Sequence, residues 1–121
     1  MMRVKPPVVA GLFYPDNPAV LRAELDTFFA TANPETVERP RALVVPHAGY
    51  RYSGPVAARA YAALRPWASQ FKNVVVLAPS HRVAFRGIAT SSAAVFQTPL
   101  GDIPVARELV DKIESLRGAS S

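Results

Sequence analysis

Two short runs, apolar except for Asn73, lie on either side of an alanine-rich stretch, and they constrain this chain more than any other feature. The runs are 42–45 and Asn73–Ala78. Neither run alternates apolar with polar residues, as a half-exposed strand does. This lack of alternation is typical of strands buried on both faces of a parallel sheet. The stretch between them predicts a helix over 55–64, with Ser53 or Gly54 as its cap and alanines suited to packing on a sheet. We therefore predict a right-handed βαβ unit with parallel strands.

Further signals for regular structure occur on both sides of this unit. Asn17 and Pro18 suit the N-cap and the first position of a helix. The apolar residues that follow form one helical stripe, Leu21, Leu25, Phe28 and Phe29. A last helix is predicted over 105–116, with Gly118 at its C-terminal end. Two short strands are predicted at 87–90 and 94–96, with a hairpin as one arrangement. The predicted fold class is α/β, a mostly parallel sheet with flanking helices.

Composition limits the classes of protein to which the chain can belong. With 121 residues, of which 50% are hydrophobic and 19% charged, it predicts one folded domain spanning 1–121. The absence of cysteine excludes a disulfide framework and a thiolate nucleophile. We expect no membrane span and no signal peptide, and hence a cytoplasmic location. The net charge of +5 is compatible with anionic partners, nucleic acid included, although the basic residues are scattered.

The two histidines of the chain follow the two predicted buried strands. His47 comes one proline after the first run, and His81 comes shortly after the second. The carboxyl ends of parallel strands share one sheet edge, where ligands bind in α/β folds. Two imidazoles with one carboxylate suit non-haem iron. The pattern predicts one metal-binding crevice, or else two histidines that each brace their own loop. Asp102, in a predicted turn, is interpreted as a solvated turn residue, with a role as third metal ligand as the alternative.

Tyr50 and Arg51 follow His47 and are the candidate substrate-binding residues. The Tyr50 ring could stack on a substrate or donate a hydrogen bond to it, or it could simply pack. Arg51, together with backbone N–H groups at a helix start, could hold an anion. A phosphate-binding P-loop is excluded because Pro55 and Val56 stand where a lysine and a hydroxyl residue are required.

Four segments, taken in order, carry a family resemblance. They are Val9-Ala10-Gly11-Leu12-Phe13-Tyr14-Pro15, Pro46-His47-Ala48-Gly49-Tyr50-Arg51-Tyr52-Ser53-Gly54, Ala78-Pro79-Ser80-His81 and Thr98-Pro99-Leu100-Gly101. Together they resemble the signature of the Memo family, whose prokaryotic members are called AmmeMemoRadiSam system protein B. The resemblance implies a fold similar to that of class III extradiol dioxygenases, here truncated. It matches His47 and His81 to the first two pocket histidines of the family.

The resemblance also implies chemistry and partners. It implies a pocket for Fe(II), with copper or zinc as alternatives, and dioxygenase-like oxidoreductase chemistry if the site is complete. An AMMECR1-domain protein and a radical SAM protein are the implied partners. Because members of the family are more than twice this long, the resemblance covers only their first half. The site is then incomplete, with no cofactor in this chain alone as one outcome, and self-association or pairing with a second-half chain is expected. The alternative function is a non-catalytic module that binds an anionic (phospho)peptide, or an accessory protein to a radical SAM modification system.

Overall fold

The computed structural model of the protein describes residues 2–34, 38–116 and 119–120. Contacts between residues divide the chain into two compact units, Pro7–Lys72 and a unit that combines Met1–Pro6 with Asn73–Ser121. The helices are α1 (Pro18–Thr31), α2 (Tyr50–Ala62), α3 (Arg107–Glu114) and a 3-10 helix (Arg65–Gln70). The strands are β1 (Val4–Lys5), β2 (Ile88–Ala89), β3 (Val95–Thr98), β4 (Gly101–Pro104) and β5 (Ala119–Ser120). No described helix is both long and apolar enough to cross a membrane.

Helix α1 begins and ends where its local chemistry predicts. The Asn17 side-chain oxygen accepts hydrogen bonds from the backbone N–H groups of Ala19, at 2.9 Å, and Val20, at 3.1 Å. These bonds satisfy two donors that have no partner within the helix. Pro18 occupies the first turn, and the helix ends before Pro34, so the predicted helix is confirmed. Leu21, from the predicted apolar stripe, is buried.

Helix α2 begins one turn earlier than predicted, at Tyr50 rather than Pro55. Gly49 is its N-cap, so the predicted caps are wrong. Ser53 is instead buried in the helix, where its hydroxyl donates a 2.7 Å hydrogen bond to the Ala48 carbonyl. This hydrogen bond closes the turn that precedes the helix, so that the helix begins before Pro55.

Helix α2 packs on α1 at Gly54, which corrects the prediction that its small residues face a sheet. A Cβ atom at Gly54 would lie 2.5 Å from Cε2 of Phe28, closer than any side chain tolerates. Ala58 and Ala62 continue the buried side of α2 at four-residue spacing. Glycine at the contact lets the Phe28 ring approach the α2 backbone. The short side chains predicted to pack on a sheet therefore belong, at this contact, to a helix–helix interface.

The unit that contains β3 holds a mixed sheet of order β1-β3-β4. Strand β1 runs parallel to β3, and β3 runs antiparallel to β4. A second, two-stranded sheet pairs β2 with β5 in parallel. The protein is thus a small α/β protein, as predicted, but its three-stranded sheet is mixed rather than mostly parallel. The predicted last helix is confirmed as α3, while Gly118 lies outside the described residues.

The hairpin of this unit is formed by β3 and β4, not by 87–90 with 94–96. The Thr98 hydroxyl donates a 2.7 Å hydrogen bond to the Gly101 carbonyl and accepts one of 3.1 Å from the Leu100 N–H. These bonds close a tight turn through Pro99 and Leu100, and the chain returns along β3. Asp102 therefore lies in strand β4, and the prediction that it sits in a turn is wrong.

Neither predicted buried strand is a strand in the part of the chain that the structure describes. Residues 42–45 and Asn73–Ala78 take part in no described β-ladder, and Val44 is 99% exposed. The predicted βαβ unit is accordingly wrong. An apolar run favours burial. To form a strand, its backbone N–H and C=O groups also need hydrogen-bond partners on a neighbouring segment. The described residues provide no such neighbour.

Candidate functional site

His47 lies in a short segment held in place just before α2. The Ser53 hydroxyl bonds to the carbonyl of Ala48, the residue after His47, and the Tyr50 N–H donates a 2.8 Å hydrogen bond to the Phe13 carbonyl. The His47 side chain itself is exposed. The contacts therefore fix the backbone on the helix side of His47 while its imidazole is accessible from solvent.

Tyr50, the first residue of α2, is half-buried among aromatic rings. Its ring centroid lies 5.5 Å from that of Tyr14 and 6.2 Å from that of Phe28, the latter edge to face. Burial raises the pKa of the Tyr50 phenol above its ordinary value of 10.0, and Tyr14, Tyr61 and Glu24 raise it further by their charge. Tyr50 is therefore a neutral hydrogen-bond donor at physiological pH, three residues after His47.

Arg51 is exposed in the first turn of α2, where many of the backbone donors are already engaged. The Tyr52 and Ser53 N–H groups both donate to the Gly49 carbonyl, at 2.9 and 3.1 Å. The Tyr50 N–H is occupied by Phe13, as described above. A helix start binds anions mainly through such N–H groups. An anion at this point would therefore depend on the Arg51 guanidinium more than on the helix.

His81 lies in the other unit, inside a tight turn. The Ser80 hydroxyl donates a 2.6 Å hydrogen bond to the Val83 carbonyl and accepts a 3.4 Å hydrogen bond from the Val83 N–H. Such a turn, closed by a serine side chain, positions the two residues within it. His81 is exposed. Its common crevice with His47 was expected because both follow parallel strands; since those strands are not formed in the described residues, the shared crevice stays a prediction.

Among the described residues, the two histidines are not accompanied by a complete set of metal ligands. In residues 2–34 and 38–116, no group of three or more histidine, aspartate or glutamate side chains is placed to hold a metal ion. Asp102, the candidate third ligand, is an exposed residue of β4. Imidazole is a donor of suitable chemistry for iron, copper or zinc, but two donors are fewer than the three of a non-haem iron site.

Sequence reasoning missed the aromatic surroundings of Tyr50. Tyr14 and Phe28 contact its ring, and Glu24 influences its pKa. Glu24 itself is half-buried. A signal existed, because Glu24 stands four residues before Phe28 and hence on the same side of α1. No local pattern indicated that this side would meet Tyr50.

The described residues thus define a small α/β protein with two exposed histidines and a half-buried tyrosine close in sequence to one of them. Residues 5–120 match the family model of Memo-like proteins. A MEMO1 family protein of Methanocaldococcus jannaschii is 37% identical over 122 residues, which cover 93% of this chain and 42% of that protein. Protein MEMO1 of Xenopus laevis is 38% identical over 105 residues, covering 86% of this chain and 34% of that protein.

The chain belongs to the Memo-like family. A MEMO1 family protein of Aquifex aeolicus gives a similar result, 36% identity over 113 residues, with 93% of this chain and 40% of that protein covered. The chain therefore spans less than half the length of these relatives.

Proposed function

We propose that this chain is a metal-binding Memo-like protein in which His47 and His81 supply two ligands of a non-haem metal pocket. The pocket is related to that of class III extradiol dioxygenases, with Fe(II) as the expected metal and copper or zinc as alternatives. One observation supports the proposal above others: in a chain of this family, both histidines are exposed in short segments outside every described helix and strand. Neutral imidazole in such a position is a common metal ligand.

The two histidines have the right chemistry to bind such a metal, but they are too few to complete its ligand set. Two imidazoles leave the carboxylate of a two-histidine, one-carboxylate set unfilled. The described residues do not complete such a set, and no oxidation step is assigned to this chain alone. An AMMECR1-domain protein and a radical SAM protein belong to the proposal as partners. The role of Tyr50 is to offer its protonated phenol as a hydrogen-bond donor to a substrate oxygen near the His47 segment.

The second candidate is a non-catalytic module that binds an anionic peptide through Arg51. The observation in its favour is that Arg51 is exposed in the first turn of α2. It is the weaker candidate because the N–H groups of Tyr50, Tyr52 and Ser53 already have backbone acceptors. The two candidates differ in which side chains they require, so substitutions separate them.

The test is a set of separate anaerobic titrations of the full chain with Fe(II), zinc and copper, in which calorimetry measures the binding. We expect weak binding that is lost in His47→Ala and equally in His81→Ala. Both histidines are exposed, so thermal unfolding of the variants should match that of the parent chain. Arg82→Ala, at the exposed neighbour of His81, is the matched control and should bind metal as the parent does.

Two results would overturn the metal proposal. One is a parent chain that binds none of the three metals, and the other is a histidine variant that binds as well as the parent. Titration with a phosphotyrosyl peptide gives the result for the second candidate. Salt-sensitive binding that survives both histidine substitutions and is lost in Arg51→Ala would favour the anion-binding module instead.

A further inference from the structure

Basic residues that are scattered along the sequence come together in the Pro7–Lys72 unit. The Arg39 guanidinium donates a 2.9 Å hydrogen bond to the side-chain oxygen of Gln70, and it lies 5.9 Å from the centre of the Phe71 ring. These contacts join the segment that begins at Arg39 to the end of the 3-10 helix, which is only about 10 Å long. The cations of 39–41 and 65–72 are all exposed, and we call them the basic patch: Arg39, Arg41, Arg65 and Lys72.

The positive charge of the basic patch is not neutralised by acidic side chains within its two segments. No aspartate or glutamate occurs anywhere in 39–101, and Glu38 is the acidic residue that directly adjoins the patch in sequence. Among the ion pairs of the described residues, none joins a cation of the patch to a carboxylate. Four cations without paired carboxylates produce a positive potential that attracts a polyanion.

Two arginines of the basic patch are already ordered on aromatic rings. Arg39 lies over Phe71, and the Arg65 guanidinium lies 4.9 Å from the centre of the Phe29 ring. An arginine held in this way loses less side-chain freedom when it binds a ligand. Its planar fork of N–H donors matches the oxygens of a phosphate group, whereas a lysine ammonium acts as a point charge. The patch is therefore suited to a ligand that carries phosphates.

Aromatic rings beside the cations favour a nucleic acid over an acidic peptide as the ligand. Trp67 lies within the 3-10 helix, between Arg65 and Gln70, and Phe71 directly follows that helix. Both aromatic residues are half-buried and so are accessible in part. Single-stranded nucleic acids bind to cations through their phosphates and stack their bases on aromatic rings, a contact that an acidic peptide does not need. We propose that the basic patch, together with Trp67 and Phe71, binds single-stranded nucleic acid.

The test measures binding of the full chain to a fluorescein-labelled oligothymidylate of about 12 nucleotides, by fluorescence anisotropy at low salt. Trp67 is the single tryptophan of the chain, so its own fluorescence should be quenched when the oligonucleotide binds. Arg39→Ala/Arg41→Ala should weaken binding about tenfold or more, and should make the slope of log affinity against log salt shallower by about 1.4. Arg82→Ala/Arg86→Ala is the matched control, because it removes two exposed arginines and the same net charge. It should bind within about twofold of the parent chain.

Lys72→Ala provides a second test that leaves the Arg39 contacts in place, and it should weaken binding about threefold or more. The proposal is overturned by no binding to the parent chain, by patch variants that bind as well as the control, by unchanged tryptophan fluorescence, or by equal competition from a polyglutamate peptide. The last result would assign the patch to an acidic polypeptide. The proposal does not depend on the proposed metal pocket or on its rival, because His47→Ala/His81→Ala and Arg51→Ala variants should bind the oligonucleotide as the parent chain does.

Discussion

The α1–α2 pair and the run Asn73–Ala78 both carry clustered apolar side chains, yet only the helix pair is packed. In the pair, Leu21 is 3% exposed, and Gly54 lies against the Phe28 ring. In the run, Leu77 is 85% exposed, and no described strand lies beside it. Apolar character is therefore not what separates the two regions.

The difference lies in where each element finds its hydrogen-bond partners. A helix satisfies most of its backbone internally and needs only one neighbouring face, which α1 and α2 provide for each other within Pro7–Lys72. A strand leaves every backbone group for a neighbour that is often distant in sequence. The helix pair can therefore form within a short stretch of chain, while the run depends on strands from elsewhere.

The same substitution in both regions tests this comparison most strongly. Leu21→Ala should lower the free energy of unfolding by about 2–5 kcal/mol, because it empties a buried position. Leu77→Ala should change it by no more than about 0.5 kcal/mol, because the side chain is already in water. Urea unfolding of the two variants and the parent chain, followed by circular dichroism, measures both values.

Similar losses in the two leucine variants would contradict the comparison, because they would mean that the run is buried in the isolated chain.

The helix contact at Gly54 gives the next largest effect. Gly54→Val places a side chain where Phe28 atoms lie within 2.5–2.7 Å of the new Cβ. We expect a loss of about 1–3 kcal/mol in the free energy of unfolding, as for other overpacked cores. Phe28→Leu, which removes the ring, should recover part of this loss in the double variant. Additive losses in the double variant would show that Gly54 and Phe28 do not interact.

Local chemistry explains which parts of the fold could be predicted from the sequence. Asn17 and Pro18 define the start of α1 through bonds between residues two and three apart. The start of α2 was misplaced because it depends on Phe13, far away in sequence, whose carbonyl accepts the Tyr50 N–H. The partner of β3 was also misassigned, since apolar patterning does not specify which strand pairs with which.

In the candidate site, too, local sequence predicts some features, while others depend on contacts between distant segments. The positions of His47 and His81 can be read from the sequence, and the structure shows that both are exposed. Their convergence was argued from two parallel strands that the described residues do not form. The surroundings of Tyr50 could not be predicted, because its contacts with Tyr14 and Phe28 come from packing between separate segments.

The smallest expected effect comes from a comparison of two tyrosines in the first turn of α2, of which one is half-buried and the other is exposed. Burial, followed by the charges of Tyr14, Tyr61 and Glu24, raises the pKa of Tyr50 above 10.0, whereas Tyr52, two residues on, is 79% exposed. As the pH rises past 10, an unfolded tyrosine loses its proton before native Tyr50 does. The unfolded state then binds fewer protons, so the free energy of unfolding falls with rising pH.

Tyr50→Phe should therefore make this alkaline decline shallower, while stability below pH 9 changes little with pH in both proteins. Tyr52→Phe is the matched control, and it should retain the decline of the parent chain. Urea unfolding between about pH 8 and pH 11 measures the three profiles, with tyrosinate absorbance recorded in parallel. Equal declines in the parent and in Tyr50→Phe would mean that the Tyr50 phenol is as well solvated as that of Tyr52, and the packed side of α2 would then begin only after its first residue.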